Sequence, residues 1–582
     1  MRFSLSCLAV VLACAVAVAV PPDPLAFMPK EATLVLKVEK PRALIEALTS
    51  SDAYRDYEGL PAVKQALESS TAKQFFQFLK LAEEKLGQKW PQMLDSLAGG
   101  GIGVGTTGTG DNAPFVLVAQ GTDEKKAEEA FKLLIELLTA ELARQSPADS
   151  PIKPEVGVVK GANAMKLGDG FFALQHKATL IVTNKKEGAE KALALAASEK
   201  GAESILTNPN VPAAKAMLGG DPLAWVWFDL KKAKEDKGLS DFLDTARTQP
   251  FILFVLGSTA DAFRRADFLT AGLFQTSAGF KLSVQLPAKR VDLPPVMALH
   301  APLKNDVPGS LPFLEPPGVL ASHSMYLDVA SFWKQRKTVL GEQELKDLEK
   351  AAKDISTFLP GTTVGELIET SGTHHRVVLV ERGQNQYKTV PDFPLPEMAL
   401  VSSMRDAKFG KNMLTTIRTA AILIGLQLGG LTLKEEKHEG VDILTYRFAD
   451  EKVLESDPTN IRYNFVPSFA VVGDSFVMAS SPQLLKDLIP EVKKPIDPKA
   501  CSPVVWRAKG YGTGAAQALR ARPEATITDS VLAQGVGLDE AKKQLERYAE
   551  WVGKLGTVGV TIDHGETAFK FEIDWQITRA VK

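Results

Sequence analysis

Residues 279–286, GFKLSVQL, and residues 568–575, AFKFEIDW, carry one pattern twice. Phe280, Leu282, Val284 and Leu286 alternate with Lys281, Ser283 and Gln285 in the first stretch. Phe569, Phe571, Ile573 and Trp575 alternate with Lys570, Glu572 and Asp574 in the second. A period of two predicts a strand with one buried and one solvated face. Phe571 is therefore expected inside and Glu572 outside. A short turn joins each strand to the one before it, Thr276–Gly279 in the first case and His564–Thr567 in the second. Both segments read as antiparallel hairpins.

The repetition extends outward. Val38, closing ATLVLKV, matches Val329 in SMYLDV, and Asp123 after PFVLVAQGT matches Asp406 after EMALVSSMR. Phe172 in FFALQHKATLIVTN matches Phe469 in SFAVVGDSFVMASS. The blocks keep their order while the offsets drift, as loop insertions produce, so the chain reads as a tandem duplication. Asp123 and Asp406 each precede an apolar-periodic run and are expected to cap a helix. Between the hairpins the first copy reads as strand (114–120), helix, strand (156–167), hairpin, helix (186–197) and strand (223–230). This order predicts an α+β fold of two homologous modules. Each is a mainly antiparallel sheet with helices on one face, with ferredoxin-like βαββαβ elements as one topology. Eight prolines between Pro287 and Pro317 mark the linker, whose apolar residues suggest packing along the surface. The expected parts are a signal peptide (1–19), a first module (20–287), a linker (288–317) and a second module (318–582).

The opening MRFSLSCLAVVLACAVAVAV places Arg2 before an apolar run that ends in Ala17-Val18-Ala19, a secretory signal with cleavage after Ala19. Export to the periplasm or cell surface follows, as a protein without a lipid anchor; Leu12 fits a lipobox at Cys14 poorly. The apolar stretch from Ala420 to Leu431 is too short to span a bilayer and reads as the buried end of a helix. Cleavage removes Cys7 and Cys14, which leaves Cys501 and no internal disulfide. With 68 basic and 70 acidic side chains, the chain lacks the footprint of a nucleic-acid binder.

No motif in the chain specifies chemistry. Gly103-Val-Gly105-Thr-Thr-Gly108 spells GxGxxG, but it follows a helix and precedes a strand, the reverse of a dinucleotide site. A glycine-rich hairpin is expected there. Gly473-Asp474-Ser475 aligns with His176-Lys177-Ala178 in a strand-to-strand turn, where Gly-Asp is ordinary. The histidines (176, 300, 323, 374, 375, 438 and 564) form no helical i, i+4 pair. His374 and His375 should point to opposite faces of a strand. His323 meets His375 only if their strands are neighbours, and a core role is expected for it. Trp225, Trp227 and Trp506 could stack on sugars, but core packing is the expectation for an aromatic repeated in both copies. No catalytic, cofactor-binding or metal-binding residue is assigned.

The blocks resemble an exported bacterial family known only as a domain of unknown function. The resemblance rests on Pro29-Lys-Glu-Ala32 leading into Leu34–Val38, and on 93–101 (MLDSLAGGG) before a hairpin. The second copy departs at both places, with Pro317–Leu320 and Leu367–Gly372. The resemblance brings no functional residues with it. The reading is a non-catalytic binding or scaffold protein of the cell envelope, with an envelope protein or polysaccharide as partner and the groove between modules as its working surface. The alternative is a hydrolase of envelope polymers. Intact mass of protein from an export-competent host should correspond to a chain beginning at Val20; a mass retaining residues 1–19 would refute the signal.

Overall fold

The computed structural model describes residues 22–108, 113–145, 153–168, 170–197, 203–302, 307–382, 387–428, 431–450 and 453–577. The expected signal, with Cys14 and the cut before Val20, lies outside them. The fold is α+β. The first repeat supplies β1 (Leu34–Val38), β2 (Ile102–Thr106), β3 (Phe115–Gln120), β4 (Glu155–Val159), β5 (Ala162–Leu167), β6 (Phe171–His176), β7 (Thr179–Thr183), β8 (Ala224–Asp229), β9 (Phe268–Gln275) and β10 (Gly279–Leu286). The second supplies β11 (Val319–Tyr326), β12 (Ser371–Val380), β13 (Glu397–Met404), β14 (Leu431–His438), β15 (Val441–Phe448), β16 (Ser468–Val472), β17 (Ser475–Ala479), β18 (Trp506–Tyr511), β19 (Thr557–His564) and β20 (Phe569–Gln576).

Two compact units divide the chain elsewhere than at the linker. One comprises the residues up to Ala47 together with Ser69–Phe228; the other comprises Leu48–Glu68 and everything from Asp229. In the first unit the strands pair in the order β8-β1-β2-β3-β7-β6-β5-β4, all antiparallel. In the second the order is β9-β10-β20-β19-β18-β11-β12-β13-β17-β16-β15-β14, again antiparallel throughout. The run β18-β11-β12-β13-β17-β16-β15-β14 repeats β8-β1-β2-β3-β7-β6-β5-β4 strand for strand. β1 lies beside β2 and β8, a meander instead of the ferredoxin-like interleaving.

The helix starts agree with the sequence. Asp123 Oδ1 accepts from the Lys126 amide ahead of the helix Glu124–Gln145, and Asp406 Oδ1 from Lys408 ahead of Ala407–Leu428. Elsewhere the register corrects it. Lys37 faces Trp225 as Met325 faces Trp506, so the counterpart of Val38 is Tyr326, not Val329. Lys177 (φ 51°) and Gly473 (φ 57°) hold the same left-handed turn position, which makes Ser468 the counterpart of Phe172 in place of Phe469. Apolar letters on both strand faces make slips of one or three residues invisible in sequence. The segment 156–167 is not one strand; it turns at Lys160 (φ 48°) and Gly161 (φ 80°) into the β4–β5 hairpin. The last hairpin turns at Gly565–Ala568, one residue beyond the expected position.

Burial departs further from expectation. The linker does not lie wholly along the surface. Met297 and Leu299 pack with Leu253, Phe332 and Leu340, while Leu314 joins the core of Val378, Val401 and Leu484. The Ser324 and Ser322 hydroxyls accept from the amides of Leu311 and Leu314, which ties the linker to β11. On β10 two of the three polar side chains are buried: Ser283 donates to Glu572, and Gln285 donates to Ser283. β10 lies between β9 and β20, so neighbouring side chains close the face that the sequence assigns to solvent. Phe571 is half-buried and only Phe569 reaches the core. On the long helix Ala407–Leu428, Ile422 is 60% exposed instead of buried. Among the described residues no helix is long and apolar enough to cross a membrane.

Truncating Phe569 to Ala should cost roughly 3–5 kcal/mol through lost transfer energy and the cavity left behind, and Phe571→Ala clearly less. Urea melts of the two variants check this ranking; a larger loss at Phe571 would contradict the burial described.

Candidate functional site

The residues singled out in sequence hold structural posts. β2 pairs with β3, and its glycines make room for Met28: a Cβ at Gly103 would stand 2.7 Å from Met28 Cε, and one at Gly105 2.8 Å from its Sδ. Ser475 opens β17 immediately after the turn at Gly473-Asp474. Trp225 and Trp227 are buried, so neither offers a face to sugar. Trp225 donates to Glu39 (2.8 Å), which also binds Lys215 (2.6 Å) and the buried Lys37 (2.9 Å). Burial alone would raise the Glu39 carboxyl, but the lysine hydrogen bonds outweigh it and hold the group at about 2. This network is closed on itself.

β11 and β12 are neighbours, with Met325 opposite His375 and His323 opposite Val377. His375 is satisfied as a core histidine, with its ring nitrogens 3.0 Å from Ser402 Oγ and 3.3 Å from Leu327 O. His323 packs against Trp506 with ring centres 4.7 Å apart. His374 points the other way and meets Pro308 O at 2.9 Å. Among the described residues no cluster of three His, Cys, Asp or Glu side chains is arranged to hold a metal.

A different place has the properties of a site. Within the second unit a cavity of about 770 Å³ opens at the end of the β19–β20 hairpin. Its walls come from the linker (Arg290, Val307, Pro308, Leu311), the loop before β18 (Ile496, Pro498, Cys501, Ser502, Pro503) and the hairpin turn (Asp563–Glu566). Two features fix these segments. The Arg290 amide donates to Gly565 O (3.0 Å), and Ser310 and Ser502 exchange backbone hydrogen bonds (3.0 and 3.1 Å). The volume falls within the range of pockets that take small ligands.

His564 is the central group. It is 1% exposed, yet neither ring nitrogen has a hydrogen-bond partner. Arg265 Nη2, Arg290 Nη2 and His300 Nδ1 are also buried without partners. Burial pushes His564 down to about 3, and His300, Arg265 and Arg290 nearby push the same way. Burial likewise lowers His300 to about 4, although its hydrogen bond to Phe254 O (2.7 Å) opposes this. Burial raises the Asp563 carboxyl, against the pull of Lys570 and Arg290. Buried polar groups in native proteins are seldom left unpaired, because each costs about 1–3 kcal/mol of desolvation.

The sequence offers one sign of this site. His564 continues the parity of the apolar Val558, Val560 and Ile562, a polar residue on an apolar period. Arg290 and Cys501 carry no local signal, since the strand pairing alone brings them together.

No family model matches the sequence. No curated protein matches it either. Among solved structures, two crystal forms of TP0453 are similar at 11% and 12% identity, with TM-scores of 0.24 and 0.22. They cover 50% and 47% of this chain and 90% and 81% of theirs.

His564 makes acid lability testable. Its folded value lies below the roughly 6.5 of an unfolded histidine, so its contribution is complete above that pH and is lost as pH falls toward 3. Between pH 7.5 and pH 5, urea stability should drop, with His564 withdrawing up to about 2 kcal/mol. His564→Leu should flatten that slope; an unchanged slope would mean that the imidazole is not buried neutral.

Proposed function

We propose that the chain is exported and serves, without catalysis, as a binding protein of the cell envelope, with the cavity at the β19–β20 turn as its site. The observation that carries this reading is His564, which lines that cavity and has both ring nitrogens unpaired. A bound molecule that supplies those partners recovers the free energy their burial withholds. The signal-like N-terminus and the resemblance to an exported family support the location. The test is native mass spectrometry of protein recovered from the envelope. Wild type should carry a non-covalent adduct that denaturation releases, and His564→Leu should lose it. Equal native masses for the two proteins would overturn the reading.

One observation favours hydrolysis of an envelope polymer instead: Asp563 and Glu566 both line the cavity, and burial raises Asp563 toward general-acid behaviour. Release of reducing ends or free amines from purified envelope polymer by wild type, abolished in Asp563→Asn, would establish that reading in place of the first.

A further inference from the structure

Building on the binding reading, we infer that the ligand of this cavity is an amphipathic oxyanion, a carboxylate or phosphate head held by Arg290 and His564 with an apolar body along the proline-rich wall. The polar end supplies donors. Arg290 and His564 line it, and each has a buried nitrogen without a partner: Nη2–H on Arg290 and one N–H on a neutral His564, with a further unpaired Nη2–H on Arg265 near His564. His300 donates through Nε2 to Phe254 O, so its free Nδ1 is an acceptor.

Charge points the same way. Asp261 accepts from Arg265 Nε at 2.7 Å, whereas Arg290, which lines the cavity, has no ion-pair partner among the described residues. Asp563 lies close enough to interact with it, but makes no ion pair with Arg290, and burial disfavours its ionised form. Glu566 stands exposed at the rim. A negative head between Arg290 and His564 therefore meets donors and an unbalanced positive charge.

Apart from Ser502, the remaining wall disfavours a polar body. Pro308, Pro498 and Pro503 have no amide hydrogen to donate, and Val307, Leu311 and Ile496 add only hydrocarbon. A glycan placed there would leave its hydroxyls unpaired, whereas an alkyl chain loses nothing. The surface so described rejects free phosphate as well, because the head alone leaves the apolar wall wet.

Cys501, which also lines the cavity, reports occupancy. The experiment follows its alkylation by N-ethylmaleimide in the whole mature protein, read on the peptide that contains it, against decanoate, decyl phosphate, decanol and inorganic phosphate. Decanoate or decyl phosphate at ten times its dissociation constant should slow the reaction about tenfold, while inorganic phosphate and decanol at equal concentration leave it unchanged. Arg290→Gln should weaken decanoate about tenfold or more, the worth of one charge-assisted hydrogen bond. Arg290→Lys should restore part of that loss, and the thermal midpoint of each variant controls for folding. Equal protection by decanol and decanoate would keep the cavity as a site and overturn the anionic head. Protection by inorganic phosphate alone would overturn the apolar body. If no probe protects Cys501, the binding reading itself falls with this one.

Discussion

Eight residue pairs between β10 and β20, from Gly279↔Gln576 to Leu286↔Phe569, hold the second unit's arrangement in place. This pairing brings the end of the first repeat against the end of the second, although the strands are hundreds of residues apart in sequence. The linker leaves β10 at Leu286 and reaches Arg290 beside Gly565, which the register has already put next to it. From there the linker runs into the core through Met297, Leu299 and Leu314. The cavity is what remains open between that path, the loop carrying Cys501 and the turn carrying His564. Without the register, none of its walls has a reason to meet.

The sequence disclosed what is local. Alternation located the strand pairs β9–β10 and β19–β20, and the acidic caps Asp123 and Asp406 marked two helix starts to the residue. It failed where the answer depended on a partner. The equivalence of Val38 slipped by three and that of Phe172 by one, because a strand with apolar residues on both faces scores nearly as well out of register. Alternation also told which side of β20 is apolar without telling which side is covered. Phe571 has the right parity and stays half-buried, while Ser283 and Gln285, on the polar side of β10, are sealed by the neighbouring strands. Covering a sheet face is a property of the elements that pack over it, and those lie far away in the chain.

The candidate site was the least legible part, for a related reason. Its groups sit at Arg290, Cys501 and Asp563–Glu566, none within a recognisable motif, and the chemistry appears only once burial is known. An arginine in a linker and a histidine at the end of a strand are unremarkable residues. They become informative when nitrogen atoms on both prove to be buried and unpaired, and both residues line one cavity. The GxGxxG run and the Gly-Asp-Ser turn failed in the opposite direction. Their letters suggest chemistry, and their geometry is packing and turn formation.

The β10–β20 register has a symmetry of its own. Ser283 pairs with Glu572, and by the repeat these two positions are equivalents of one another. The joint is thus isologous, the kind of self-complementary edge by which two identical subunits close a twofold dimer. Here both edges belong to one polypeptide, so their encounter is intramolecular and the linker sets the effective concentration. The same edge remains a liability during synthesis, since β10 is complete well before β20 exists to pair with it. A nascent chain therefore presents β10 to any neighbouring chain's β20 on equal geometric terms, and exchange of hairpins between molecules is the failure this architecture is built to risk.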